Sequence, residues 1–344
     1  MSNIQLELDK IELHNFAGAE PASEFYGIVL HRFPKELRNF LQAYSPIGGE
    51  IRFVTEAPEV KITLGFLNEK VKQTPIRVFR GNYELELPKG FSLDNGKITV
   101  LNLSAKTMLD RMIPEELHRK GFSPNVWRIM FDETPTVYLC EIDTYGHPCR
   151  KPLDSEKPKY KYLNISGSVG QFGLDVYNIT AARRLGLDLW NFGMAGRNVW
   201  QPEYADYVAS VDNFDIVTFM FGMNTLPDIS ACEVRRRMIY MLERLISKRP
   251  DRPILGIPTY KCNLDRLINP EEDNYYKPYL ELKEIFHEVM ADFAGKANVH
   301  LIPGDSLMDD PSGILCDGLH LSTYAEILFG INLAETMRKY LPEK

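Results

Sequence analysis

The feature that most constrains this chain is a change of hydrophobic pattern near residue 150. Before it, short β-rich runs at residues 50–55, 60–66, 76–79, 83–87, 97–103, 126–131 and 136–142 are separated by turn residues such as Gly48-Gly49 and Asp94-Asn95-Gly96. Strands recurring about every dozen residues predict a β-sandwich. Residues 146–160 then carry three prolines and a cluster of charges, the composition of a connecting segment. After them, strands expected at 162–165, 188–191, 215–221, 253–257 and 299–302 alternate with helical stretches at 175–185, 229–248, 275–294 and 322–340. That alternation predicts a flavodoxin-like three-layer α/β/α fold, with a parallel sheet and ligands at the carboxyl ends of its strands. The expected division is residues 1–150, an all-β sandwich domain, and residues 151–344, an α/β domain.

Composition narrows the function. A chain of 344 residues with 44% hydrophobic and 25% charged residues has a globular make-up and room for two cores. Its 40 basic against 47 acidic residues leave a net charge of −7, so no nucleic-acid partner and no attraction to anionic lipid are expected. The N-terminal stretch has no apolar core with a cleavage site, and no run approaches the ~18 apolar residues of a membrane span. Five widely spaced cysteines without a CxxC pair read as reduced thiols of a cytoplasmic protein.

The loops at the expected strand ends carry the chemistry. Ser166-Gly167-Ser168-Val169-Gly170 follows the first strand, Gly193-Met194-Ala195-Gly196 the second, Gly222-Met223-Asn224-Thr225 the third, and Asp317-Gly318-Leu319-His320 the last. A serine hydroxyl is a weak nucleophile near neutral pH, so Ser168 needs the imidazole of His320 to take its proton. Asp317, three residues before His320, is placed to orient that ring. An oxyanion needs fixed donors, and the N–H groups of Ser168 and Gly196 with the Asn224 amide supply them. These are the parts of a serine hydrolase.

Serine, glycine, asparagine and histidine in four blocks, in this order, resemble the SGNH (GDSL-type) hydrolases, in the branch with an N-terminal β-sandwich. The likeness covers residues 161–344 and implies a serine esterase acting through an acyl-enzyme on acetyl or other short acyl groups, often on carbohydrate. It also implies a jelly-roll-like sandwich before the hydrolase domain, and neither metal nor organic cofactor. Two blocks depart from the family pattern: the first lacks its leading glycine and the hydroxyl after the aliphatic residue, and the third ends in Thr225 where aspartate is usual. The Asp-Gly-x-His block is intact.

Competing readings attach to other residues. A literal Gly-Asp-Ser-Leu string at 304–307 follows the last strand rather than the first, which disfavours Ser306 as nucleophile; Ser166 is the second candidate. Gly167, Gly170 and Gly173 between a strand and a helix suggest a phosphate-cradling loop, hence a nucleotide-binding protein, but the spacing is not GxGxxG. A carbohydrate-binding protein without turnover is the third possibility. Trp190, Trp200, Tyr204, Tyr260 and Lys261 near strand ends are candidates for a sugar pocket, with core packing the simpler account of the aromatics. The remaining histidines lack metal-ligand spacing, and Arg235-Arg236-Arg237 reads as a solvated helix face. The expected substrate is a small acylated sugar or oligosaccharide; acyl length and any homo-oligomer stay open.

Overall fold

Strands that alternate apolar and polar residues bury one face, and two such sheets close on each other in the N-terminal half. The structure, a computed structural model, describes residues 7–38, 45–68, 71–88, 91–117, 120–132, 136–171, 173–195, 200–211, 213–220, 229–296 and 298–342. The described residues up to Lys159 form one compact unit and those from Tyr160 a second.

In the first unit, one antiparallel sheet runs in the order Glu12–His14, Glu50–Thr55, Val126–Phe131, Ile76–Arg80, Tyr83–Glu84, with Cys149–Arg150 also paired to Glu50–Thr55. The other runs Ile98–Ser104, Glu59–Phe66, Val137–Asp143, Ile28–His31, Gly18–Pro21. Ile51, Phe53, Ile129 and Phe131 of the first pack with Ile62, Leu64, Phe66 and Leu139 of the second in one core. The period of two then places Glu50, Arg52 and Arg128 on the opposite face. There Glu50 accepts from Arg128 Nε and Nη2 at 2.8 and 2.6 Å and from Arg52 Nε at 2.8 Å. The Phe122 ring covers both guanidiniums.

Three N-terminal strands are absent from the sequence reading, because runs such as Gly18–Pro21 carry no alternation of their own and become strands only by pairing with Ile28–His31. The run expected at 83–87 ends as a strand at Glu84, three residues before the end of that run and short of Pro88, whose missing N–H cannot serve a ladder.

The second unit holds the parallel sheet. Its strands, first to fifth, are Lys161–Ile165, Asp188–Asn191, Ile216–Phe219, Ile254–Gly256 and Val299–Leu301, in the spatial order second, first, third, fourth, fifth. Helices Tyr177–Leu185 and Thr323–Met337 pack together, while Ala231–Lys248 packs against Pro202–Ala209 and Tyr276–Ala294, giving three layers. Helix Pro202–Ala209 is an addition to the sequence reading. The final helix shows why the layers adhere: Ser322 caps it through Ala325 N, and Ala325, Phe329, Leu333 and Met337, four residues apart, are all fully buried. Burying a Leu or Phe side chain contributes about 1.5–3 kcal/mol. No helix among the described residues is long and apolar enough to cross a membrane.

Candidate active site

The order of the parallel strands sets the first strand between the second and the third, so the carboxyl ends of these three strands lie side by side. Ser168 opens a 3-10 turn, Ser168–Gly170, just past the first strand. Beneath it lies a buried polar network. Asn164, an interior residue of that strand, donates to Ser166 Oγ and to Asn191 Oδ1, both at 2.9 Å. Its own carbonyl oxygen Oδ1 accepts from Tyr177 Oη and Thr218 Oγ1, both at 3.0 Å. Asn191 carries the network onward, accepting from Gly193 N and donating to the Gly170 carbonyl, each at 2.9 Å. Asn178 donates to that same carbonyl at 2.7 Å. Every one of these groups is out of water, where an unmade hydrogen bond costs about 1–3 kcal/mol, so the nucleophile loop has one low-energy arrangement.

The acid and base stand on a short loop closed by the antiparallel bridge Ile314↔Leu321 and by Leu315 N donating to the His320 carbonyl at 2.8 Å. Ser168 Oγ lies 2.9 Å from His320 Nε2, and His320 Nδ1 lies 2.7 Å from Asp317 Oδ2. With the proton on Nδ1, the ring donates to Asp317 and leaves Nε2 to accept from the serine. The other Asp317 oxygen accepts from Leu319 N at 2.9 Å and His320 N at 3.0 Å. Partial burial pushes the Asp317 carboxyl up, but these amides and the imidazole more than offset it and hold the group below the usual carboxylate range. A carboxylate therefore faces the imidazole at neutral pH, and a serine hydroxyl, an imidazole and a carboxylate form one relay.

Gly196 and Asn224, the other expected oxyanion donors, lie outside the described residues. The loop leading to Gly196 is held through Met194 N on the Ser166 carbonyl at 2.9 Å and Ala195 N on the Gln171 side chain. The rival serines are occupied otherwise. Ser166 is fully buried within the network, and Ser306 donates to the Pro303 carbonyl at 2.6 Å in an exposed turn. Glycine at 170 answers to packing, since a Cβ there would overlap Ser166 Oγ. Trp200, Tyr204 and Tyr260 are core residues, each 1% exposed, whereas Trp190 is half-buried and Lys261 exposed. Arg235 pairs with Glu288, and Arg236 and Arg237 with Glu233; Arg236 stands on the helix surface, whereas the Arg237 side chain is largely buried. Among the described residues no group of three His, Cys, Asp or Glu side chains could hold a metal.

Sequence reasoning passed over Asn164, Asn191, Tyr177 and Thr218. The available signal was polar residues inside expected strands, Asn164 in KYLNI and Asn191 in DLWN, where a buried position demands a partner.

Residues 166–329 match the model of a family described as GDSL-like Lipase/Acylhydrolase. Curated protein sequences give no match. Among solved structures, a salicylyl-acyltransferase from a tetracycline biosynthetic pathway is similar at a TM-score of 0.74 and 13% identity, over 96% of this chain and 94% of that one. A family two carbohydrate esterase from Clostridium thermocellum, in complex with cellohexaose, superposes at 0.62 and 12% identity over 96% and 98%. Its counterpart from Cellvibrio japonicus does so at 0.63 and 11% over 96% and 95%. Likeness at such identities establishes the fold: an SGNH-type α/β unit preceded by antiparallel sheets.

Proposed function

We propose, for a chain whose residues 166–329 match the GDSL-like lipase/acylhydrolase family, a serine esterase that cleaves short acyl esters of a carbohydrate. The observation that carries this reading is the relay of 2.9 Å from Ser168 Oγ to His320 Nε2 and 2.7 Å from His320 Nδ1 to Asp317 Oδ2. Ser168 attacks the ester carbonyl as His320 takes its proton, and Asp317 stabilises the imidazolium that results. The charge on the carbonyl oxygen is met by the N–H of Ser168, the N–H of Gly196 and the side-chain amide of Asn224. The first N–H groups of a helical turn have no partner within it, so Ser168, opening its 3-10 turn, is suited to that role. His320 then protonates the leaving alcohol, and water, activated by the same imidazole, releases the acid.

A sugar ester as substrate is supported by the two carbohydrate esterases among the similar folds. The division into a sandwich domain at 1–150 and a hydrolase domain at 151–344 belongs to the same reading. So does a cytoplasmic location, which the five free cysteines favour.

The test is release of p-nitrophenol from acetyl and longer-chain esters, and of acetate from acetylated oligosaccharides, by the wild type beside Ser168→Ala, His320→Ala and Ser306→Ala. Turnover is expected to vanish in the first two variants and persist in the third. Activity surviving in Ser168→Ala would refute the assignment. Glycan binding without any turnover in the wild type would favour the non-catalytic carbohydrate-binding protein, and tight nucleotide binding the phosphate-cradling loop. Because one similar fold is an acyltransferase, an acceptor alcohol belongs in the assay. Its acylation in preference to hydrolysis would place transfer ahead of release to water.

A further inference from the structure

The loop from Asp317 to His320 leans on the segment that follows the fourth strand, through two hydrogen bonds to consecutive peptide groups. Asn263 N donates to the Gly318 carbonyl at 2.6 Å, and Tyr260 Oη donates to the Leu319 carbonyl at 2.5 Å. A peptide group is planar, so each carbonyl is rigidly coupled to the N–H of the following residue. Those N–H groups, of Leu319 and His320, are the two that bind Asp317 Oδ1 at 2.9 and 3.0 Å. Each of the two peptide planes is thus held on its oxygen side by the brace and on its nitrogen side by Asp317. A carbonyl that accepts a hydrogen bond also makes its own N–H a better donor, so the brace strengthens the grip on the carboxylate as well as orienting it.

Tyr260 is rigid enough for this task. Its ring is 1% exposed and meets Phe329 edge-on at 6.2 Å between centroids, so the core fixes where its hydroxyl stands. The segment carrying it is seated by the turn Gly304–Ser306, after the fifth strand. Asp305 Oδ1 accepts from Lys261 N at 2.9 Å, and a Cβ on residue 304 would overlap the Pro258 carbonyl and stand 2.9 Å from Tyr260 N. The literal Gly-Asp-Ser-Leu string therefore supports the brace through its glycine and aspartate, while its serine is spent on the Pro303 carbonyl.

We infer that Tyr260 is a positioning residue for the Asp317–His320 pair, acting through the Leu319–His320 peptide, and that Gly304 and Asp305 seat it. The inference rests on the reading of His320 as the base.

The test uses the full-length chain with Tyr260→Phe, assayed for kcat and KM on one ester, together with the downfield proton resonance of His320 Nδ1–H. Loss of one buried hydrogen bond in the transition-state geometry predicts a fall in kcat of about tenfold, with KM held within about twofold. The ring-proton resonance is expected to shift or broaden. Leu245→Ala, a fully buried change in helix Ala231–Lys248 that destabilises the fold away from the brace, serves as the control and should move neither readout. Asp305→Ala loosens the same brace from its exposed side without removing a core group, and a fall in kcat of about twofold to threefold is expected. Full kcat and an unmoved resonance in Tyr260→Phe would overturn the inference, as would Asp305→Ala indistinguishable from wild type should Tyr260→Phe not fold. Turnover persisting in His320→Ala would instead reject the catalytic reading itself, so the two failures are distinguishable.

Discussion

Glu326 offers a perturbation whose size and sign both follow from its surroundings. It sits in the first turn of the final helix, 8% exposed, and accepts from Tyr177 N at 2.9 Å, thereby capping the start of helix Tyr177–Leu185. Burial pushes its carboxyl up, and although the Tyr177 amide pulls it down, the group is raised to about 8 from an ordinary 4.5. Because the folded-state value exceeds the unfolded one, the native protein holds a proton between pH 4.5 and 8 that the unfolded chain has released. Stability is then greatest below that window, falls as pH rises through it, and levels off above 8. Glutamine keeps an acceptor for Tyr177 N and removes the charge. Glu326→Gln should therefore match the wild type at pH 5 to within about 1 kcal/mol and exceed it by about 4 kcal/mol more at pH 9. Urea unfolding of both proteins at pH 5, 7 and 9 measures the gap. A difference that stays constant across that range would refute the argument, since a pure packing effect has no reason to titrate.

Two further outcomes are expected. Asp317→Asn keeps an oxygen for Leu319 N and His320 N but presents no anion to His320 Nδ1; kcat should fall by about 10²- to 10⁴-fold with KM little changed, as steady-state kinetics would reveal. In the first unit, Glu50→Gln removes the carboxylate shared by the buried Arg52 and Arg128, leaving Arg52 its pairing with Glu12, and should cost about 3–5 kcal/mol, read from a lowered urea midpoint; wild-type Glu50, its carboxyl held far below the usual range by those guanidiniums once burial is offset, should keep its contribution as pH falls through 4.5.

Much of this protein can be read from the chain itself, because the periods of two and 3.6 are local properties. The strand runs 50–55 and 126–131 appear as Glu50–Thr55 and Val126–Phe131, and the alternation after residue 160 becomes a parallel sheet in the 2-1-3-4-5 order. Asp317 and His320 are three residues apart, so their pairing is also a short-range matter that spacing alone suggests. What spacing cannot deliver is the distance across 152 residues that sets Ser168 against His320, or the choice of Ser168 over Ser306, which depends on which strand end faces the imidazole. Nor does sequence order reveal that Asn164, Asn191, Tyr177 and Thr218 meet in one network, or that Tyr260 reaches the Leu319 carbonyl. Those contacts join residues from different strands and loops. Elements arise from patterns of neighbouring residues, whereas a buried polar partner is chosen only when separate elements pack and each stranded donor or acceptor must find the nearest group able to satisfy it.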